Sequence, residues 1–164
     1  MDSTMTQPQT KIVLREFATG DESTFRELNE EWIRRYFKVE PSDEAAFSDP
    51  SRKILGKGGR IFFAEEEGMV IGCCALIPIK PGEMEVAKMA VTETYQGKGI
   101  GRLLLGTTIE AAREMKQERL YLETNRILAG AIHLYESMGF RHLPAERVTP
   151  SPYERANVFM ELFL

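Results

Sequence analysis

Three glycines within five residues, Gly97, Gly99 and Gly101, separate an apolar run ending at Val91 from an amphipathic stretch that begins at Ile100. This pattern predicts a strand, a tight turn and a helix in immediate succession. A helix N-terminus presents unpaired N–H groups and the positive end of the helix dipole. Glycines let an anion come close to that backbone. The segment Gln96-Gly97-Lys98-Gly99-Ile100-Gly101 therefore reads as an anion cradle suited to a pyrophosphate. The same residues also suit a plain strand-to-helix turn, and the glycines alone do not separate the two. Spacing excludes two familiar phosphate loops. The pattern G-x-x-x-x-G-K-[ST] occurs nowhere. The pattern G-x-G-x-x-G needs its last glycine at position 102 or 104, which are Arg102 and Leu104.

Around this turn the chain divides into short elements. Residues 11–18 alternate around Ile12, Leu14 and Phe17 and suit a first strand. Asp21 suits an N-cap, with a helix over 22–37 whose apolar face is Phe25, Leu28, Trp32 and Tyr36. Residues 38–60 contain Pro41, Pro50, Gly56, Gly58 and Gly59 and read as a loop with one or two helical turns. Strands follow over 60–66 and 69–79, joined at Glu67-Gly68, and over 83–91 after the Pro81-Gly82 turn. The helix after the glycines extends to about Lys116 and buries Leu104, Ile109, Ala112 and Met115. A strand over 119–124 precedes a helix over 128–138 ended by Gly139. Closing strands fall near 140–143 and 155–163. Three antiparallel strands followed by a β-α-β crossover predict a mixed α/β (α+β) sheet with helices on its faces.

Composition narrows the function classes. Hydrophobic residues make up 43% of 164 residues and charged residues 28%, enough for one globular domain, expected over 11–164 behind a flexible leader of residues 1–10. Lys plus Arg number 21 against 25 Asp plus Glu, a formal charge of −4, which argues against nucleic acid as a partner. No apolar run reaches the roughly 20 residues that span a bilayer, and the N-terminus lacks the pattern of a signal peptide, so no membrane partner and a cytoplasmic location are expected. Cys73 and Cys74 are adjacent, which offers neither a disulfide framework nor metal spacing; no metal is expected.

Two motifs in the right order resemble the GNAT superfamily of N-acetyltransferases. Gln96-x-x-Gly99-x-Gly101, preceded by Met89-Ala90-Val91, is similar to that family's acetyl-CoA motif, Q/R-x-x-G-x-G/A. Ala131-x-x-Leu134-Tyr135-x-x-x-Gly139-Phe140 is similar to its A-x-x-L-Y-x-x-x-G-F helix. A shorter form of the family pattern has Asn at the place of Leu128. The longer form, L-x-T/S-N-x-x-L-x-x-A, is matched by Leu122, Thr124, Asn125, Leu128 and Ala131.

The resemblance implies transfer of an acetyl group from acetyl-CoA to an amine by direct attack. The acceptor is expected to be a small-molecule amine, and a homodimer is compatible with the resemblance. It implies that amides of the 96–101 turn hold the pyrophosphate, that Lys98 and Arg102 add positive charge, and that Asn125 helps hold the cofactor. It implies a splayed parallel strand pair whose gap takes the pantetheine, with backbone N–H groups at Met89, Ala90 and Val91 polarising the thioester. Tyr135 is then the candidate general acid, since a phenol with a pKa of about 10 is protonated at neutral pH. Glu85, eleven residues before Gln96, is the candidate base, sharing a strand face with Ala87 and Met89. Glu83 and Glu123 are its rivals. Each of these also has a bland reading: core tyrosine, exposed glutamate, solvated loop charge. His133 reads as surface, and Cys73-Cys74 as core. Trp32, Tyr36, Phe37, Tyr153, Arg155 and Asn157 are further candidates for the acceptor wall. A protein or peptide amine as acceptor, and a non-catalytic acyl-CoA sensor, are the alternatives. A nucleotide-binding regulator is disfavoured by the failed loop spacings.

Overall fold

Both central residues of the Glu67-Gly68 turn take positive φ, 51° and 79°. That is the type I′ geometry, whose twist matches a two-stranded hairpin. It joins β2 (Arg60–Glu66) to β3 (Met69–Lys80) in antiparallel register. In the computed structural model, which describes residues 11–164, β1 (Ile12–Glu16) and β4 (Glu83–Val91) flank this hairpin, also antiparallel. The expected leader over residues 1–10 lies outside the described residues. β5 (Arg119–Thr124) pairs parallel with β4, and β7 (Val158–Phe163) and β6 (Arg141–His142) complete a seven-stranded sheet of order β1-β2-β3-β4-β5-β7-β6.

Period-two alternation sends neighbouring residues to opposite faces. Phe62, Ala64, Cys74 and Leu76 join the core under α4 (Ile100–Glu114) and α5 (Ala129–Ser137). Ile61, Phe63, Cys73 and Ala75 join a second core under α1 (Glu22–Tyr36) and α2 (Pro41–Ser48). Both cysteines are free and fully buried, as expected. Among the described residues no helix is long and apolar enough to cross a membrane.

Several expectations shift. The segment 38–60 holds α2, α3 (Pro50–Lys53) and a 3-10 turn at Leu55–Lys57. Its prolines start helices. Pro41 follows a capping box in which Glu40 and Asp43 satisfy each other's backbone N–H, and Pro50 follows Asp49, whose carboxylate accepts from the Arg52 N–H at 3.1 Å. In α1, Ile33 replaces Tyr36 as the deeply buried position, and Tyr36 is 46% exposed. Asp21 precedes α1 without capping it through its side chain. Its carboxylate instead accepts from Arg15 and from the Ala18 N–H. The later helices and closing strands are one to three residues shorter than expected.

The alternation of β4 also breaks. Lys88 has φ 53° at a β-bulge, where the register with β3 jumps from Ala75↔Ala87 to Cys73↔Ala90. The extra residue turns the chain over. Met89 and Val91 therefore pack with Met84 and Val86 in the α4 core, while Ala90 packs in the α1 core. The expected common face of Glu85, Ala87 and Met89 is corrected accordingly: Met89 lies on the opposite face from Glu85.

Candidate active site

β4 and β5 pair only at Glu83↔Arg119, Met84↔Leu120 and Glu85↔Tyr121, although both strands continue. From Val86 onward the β5-facing edge of β4 has no strand partner among the described residues, so its peptide groups open onto a gap in the sheet. A cleft of about 980 Å³ runs through that gap, from the glycine turn to the C-terminal end of α1. Its volume suits a large ligand, since typical pockets measure roughly 300–1,000 Å³.

One end of the cleft is built by local sequence. Gly99 is the N-cap of α4 at φ 82°, and Gly97 has φ 77°. Side chains other than glycine rarely adopt these values. Apart from the adjoining backbone, no heavy atom of the described residues lies within 4 Å of a Cβ placed on either residue, so the backbone faces open space. The amides of Ile100, Gly101 and Arg102 are at the helix start and lack intrahelical partners. Gln96 lines the cleft and ties the turn to β4 by donating from Nε2 to the Val91 carbonyl at 3.0 Å. Arg102 bridges to α5, donating to Ser137 Oγ at 2.8 Å. Lys98 is not among the cleft residues; its ammonium lies 5.1 Å from the centroid of the Tyr95 ring.

The middle of the cleft brings together Met89, Ala90, Val91, Glu85, Tyr135 and Asn125. The Glu85 side chain accepts no hydrogen bond among the described residues. Burial, with the nearby negative charge of Glu123, pushes its pKa up to about 7 against the opposing charge of Lys88. Tyr135 is buried, with its ring 6.1 Å from that of Phe140, and its hydroxyl donates no hydrogen bond among the described residues. Burial raises its phenol further above the ordinary value, so it stays protonated at neutral pH. Asn125 spends its amide on the chain itself, donating to the Arg155 carbonyl at 2.7 Å and accepting from the Ile127 N–H at 3.0 Å. Of the rivals to Glu85, Glu83 lies outside the cleft, bound to Arg119 and Lys80. Glu123 is inside it and accepts hydrogen bonds from Tyr121 and Ser151.

The other end of the cleft is assembled from distant segments. Lys88 donates from Nζ to Asp43 at 2.9 Å and to the Tyr153 hydroxyl at 2.8 Å. Arg155 donates through both terminal nitrogens to Asp43, each at 2.7 Å, and to Glu40 at 3.2 Å. Asp43 is wholly buried. Burial alone would raise its pKa, but the bonds from Arg155 and Lys88 outweigh this and hold it at about 2. Sequence reasoning missed Lys88, Asp43 and Glu40. The one available signal was a lysine inside the run VAKMAV, since a cation in a strand covered on both faces needs a buried partner. Trp32, Tyr36, Phe37, Tyr153 and Arg155 line this end. Asn157 does not: it accepts from the Arg126 N–H at 2.9 Å. His133 is exposed, as expected, at the rim.

The chain is similar to known proteins in sequence and in fold. An uncharacterised N-acetyltransferase of Escherichia coli, YjgM, is 37% identical over 99 residues, covering 58% of this chain and 59% of that one. A probable N-acetyltransferase family 8 member 5 from Mus musculus is 32% identical over 99 residues, covering 57% and 44%. The chain thus spans about half the length of the curated relatives it matches. In fold it is similar to an acetyltransferase of the GNAT family from Staphylococcus aureus, with TM-score 0.85, 21% identity, and coverage of 93% of this chain and 99% of that one. It is similar too to the yncA protein of Salmonella typhimurium, solved with its cofactor acetyl-CoA, at TM-score 0.71, 21% identity and 93% coverage of each chain. The sequence model of the acetyltransferase (GNAT) family matches residues 22–140, most of the length, and the chain belongs to that family.

Proposed function

We propose that this chain is an acetyl-CoA-dependent N-acetyltransferase acting in the cytoplasm on the primary amine of a small molecule. One observation carries the reading: β4–β5 pairing stops at Glu85↔Tyr121, and the resulting gap joins an open glycine turn to a carboxyl and a phenol that have no hydrogen-bond partners among the described residues. The turn fits a pyrophosphate because Gly97 and Gly99 leave open space beside free helix-start amides. Arg102 adds positive charge there, and binding of a thioester carbonyl by N–H groups of Met89–Val91 is supported by the lack of a strand partner on that edge among the described residues.

Acetyl-CoA supplies the acetyl group as a thioester; attack by the amine forms the C–N bond and the C–S bond breaks. Glu85 takes, through water, the proton that keeps the arriving ammonium from being a nucleophile. Its pKa of about 7 suits that task near neutrality. Tyr135 gives its proton to the departing sulfur and regains one from solvent, and the second amine proton leaves to solvent. A small acceptor is favoured because Lys88, Asp43 and Arg155 tie α2 to the 153–155 segment across the far end of the cleft.

Thermal shift with acetyl-CoA, NAD and ATP, followed by a thiol-release assay over an amine panel, tests the reading. Stabilisation by acetyl-CoA alone and thiol release with at least one amine are expected. Binding without release from any amine would make the protein a sensor, and equal response to all three nucleotides would remove the site assignment.

A further inference from the structure

We infer that the acceptor is a cation on an apolar or aromatic body with no carboxylate beside its amine: a simple arylalkyl or alkyl amine, not an α-amino acid. The inference rests on the proposed acetyltransferase reading and concerns the charges at the acceptor end of that site.

The first observation is that, among the described residues, the acceptor end offers a substrate carboxylate no uncommitted cation. Two positive side chains stand there, Lys88 and Arg155, and both are consumed internally. The Lys88 ammonium is held by Asp43 and the Tyr153 hydroxyl, with its side chain 6% exposed. The Arg155 guanidinium is held bidentate by Asp43 and again by Glu40, and lies over the rings of Trp32 and Tyr153. Two cations and two carboxylates cancel. Drawing either cation toward a ligand would strip the wholly buried Asp43 of one of its two cationic partners, a penalised state. The other cation lining the cleft, Arg102, lies at the glycine turn on the far side of the gap.

The second observation is a surplus of negative charge where the amine must arrive. Glu85 and Glu123 line the cleft close enough for Glu123 to raise the Glu85 pKa, and neither makes an ion pair among the described residues. An ammonium is attracted to this pair. A carboxylate on the adjacent carbon would sit within a few ångströms of the same two groups and be repelled. Discrimination of this kind works by penalising the wrong ligand. Beyond the acids, the wall is apolar: Trp32, Phe37 and Ile77, with the ring of Tyr36 at the mouth. These surfaces reward an apolar body and offer little to a highly charged one.

Tyramine, tyrosine and tyrosinol test this. Tyrosinol replaces the tyrosine carboxylate by a neutral CH2OH of similar size, so it separates charge from bulk. Calorimetric binding of each to the protein saturated with coenzyme A at pH 7.5 is the measurement, read as Kd and not as turnover. Tyramine is expected to bind at least about tenfold tighter than tyrosine, with tyrosinol near tyramine. In Glu123→Gln, which keeps the hydrogen-bonding shape, the gap between tyramine and tyrosine should narrow severalfold. Tyrosine binding as well as tyramine would overturn the inference, as would tyrosinol binding as poorly as tyrosine, or none of the three binding. Failure of coenzyme A to saturate the protein would instead strike the acetyltransferase reading, while the three ligands titrated into the free protein would still decide the acceptor question.

Discussion

The two ends of the cleft are built in opposite ways. The glycine end is one contiguous segment, Gln96–Arg102, acting through backbone amides and the start of a single helix. The acceptor end draws on α1, α2, β4, β5 and the 153–155 segment, and acts through side chains whose positions depend on each other. The first is a local property of the chain; the second exists only once the sheet has closed. Damage should therefore stay local at the glycine end and spread at the acceptor end.

The sharpest break in that comparison is Asp43→Ala. It leaves Lys88 without its carboxylate and Arg155 with Glu40 alone. Breaking a buried pair costs about 3–5 kcal/mol, and denaturant midpoints should show a loss of that order. Acetyl-CoA affinity of the folded protein should stay within a few-fold of wild type, because the turn takes no support from Asp43. A loss of cofactor affinity as large as the loss of stability would show the two ends to be one unit. The pH dependence has a definite sign. Asp43 has a depressed folded pKa of about 2, so its contribution is present above its ordinary value of 3.8 and is lost as pH falls toward 2.

Tyr135→Phe should come next. The phenyl ring preserves the packing on Phe140, so only the hydroxyl is lost. General acid–base groups contribute on the order of 10²- to 10⁴-fold, and kcat should fall within that range with acetyl-CoA affinity nearly intact. Unaltered kcat would assign Tyr135 to packing, and a large loss of stability would say the same.

Gly99→Glu places a negative charge in the cradle at φ 82°. Acetyl-CoA affinity should fall by at least about a hundredfold, the combined effect of lost charge-assisted contacts. Gly99→Ala carries the same backbone strain, of about 1–2 kcal/mol, without the charge, and its Cβ meets nothing within 4 Å. Comparing the two separates electrostatics from strain. Unchanged binding in a folded Gly99→Glu protein would sink the site assignment.

This asymmetry also explains what could be read from the sequence. Hairpin turns, the glycine turn and the Tyr135 helix are local patterns, and their elements appear where spacing put them, within a few residues. Pro41 and Pro50 suit a loop with helical turns as readily as the starts of defined helices, because a proline breaks a helix interior but starts a helix at its first position, and only the partner caps Glu40 and Asp49 distinguish the cases. The bulge at Lys88 has no spacing signature: it is held by Asp43 and Tyr153, 45 and 65 residues away in the chain. One such residue was enough to move Met89 to the other face of the sheet. Glu85 and Ala87 precede the bulge and keep the face that simple alternation predicts for them.

The finest test lies at Glu85, where the two ends meet. The effect of Glu85→Gln on kcat/KM should be on the order of tenfold, below the full range for acid–base groups because solvent can also take the amine proton. Its pH dependence is the informative part. Glu85 titrates at about 7 in the folded protein. Below pH 7 the wild type loses its ionised base in proportion to proton concentration, and the variant loses neutral amine in the same proportion, so their ratio stays flat. Above pH 7 wild-type kcat/KM levels off, while the variant keeps gaining neutral amine until the amine's own pKa, so the ratio shrinks. Stability should move in step. Glu85 has a raised folded pKa, so ionising it costs the folded state stability as pH climbs from its ordinary 4.5 through about 7. Gln does not ionise, and the variant should be the more stable protein at pH 8 and no better at pH 4. The measurements are a pH–rate profile with one accepted amine and thermal melts at those two pH values. If the stability difference appears and the ratio of rates stays constant to pH 9, Glu85 is a buried, perturbed carboxyl that does not serve as the base. Glu123, the other acid in the cleft without an ion pair among the described residues, then becomes the residue to replace.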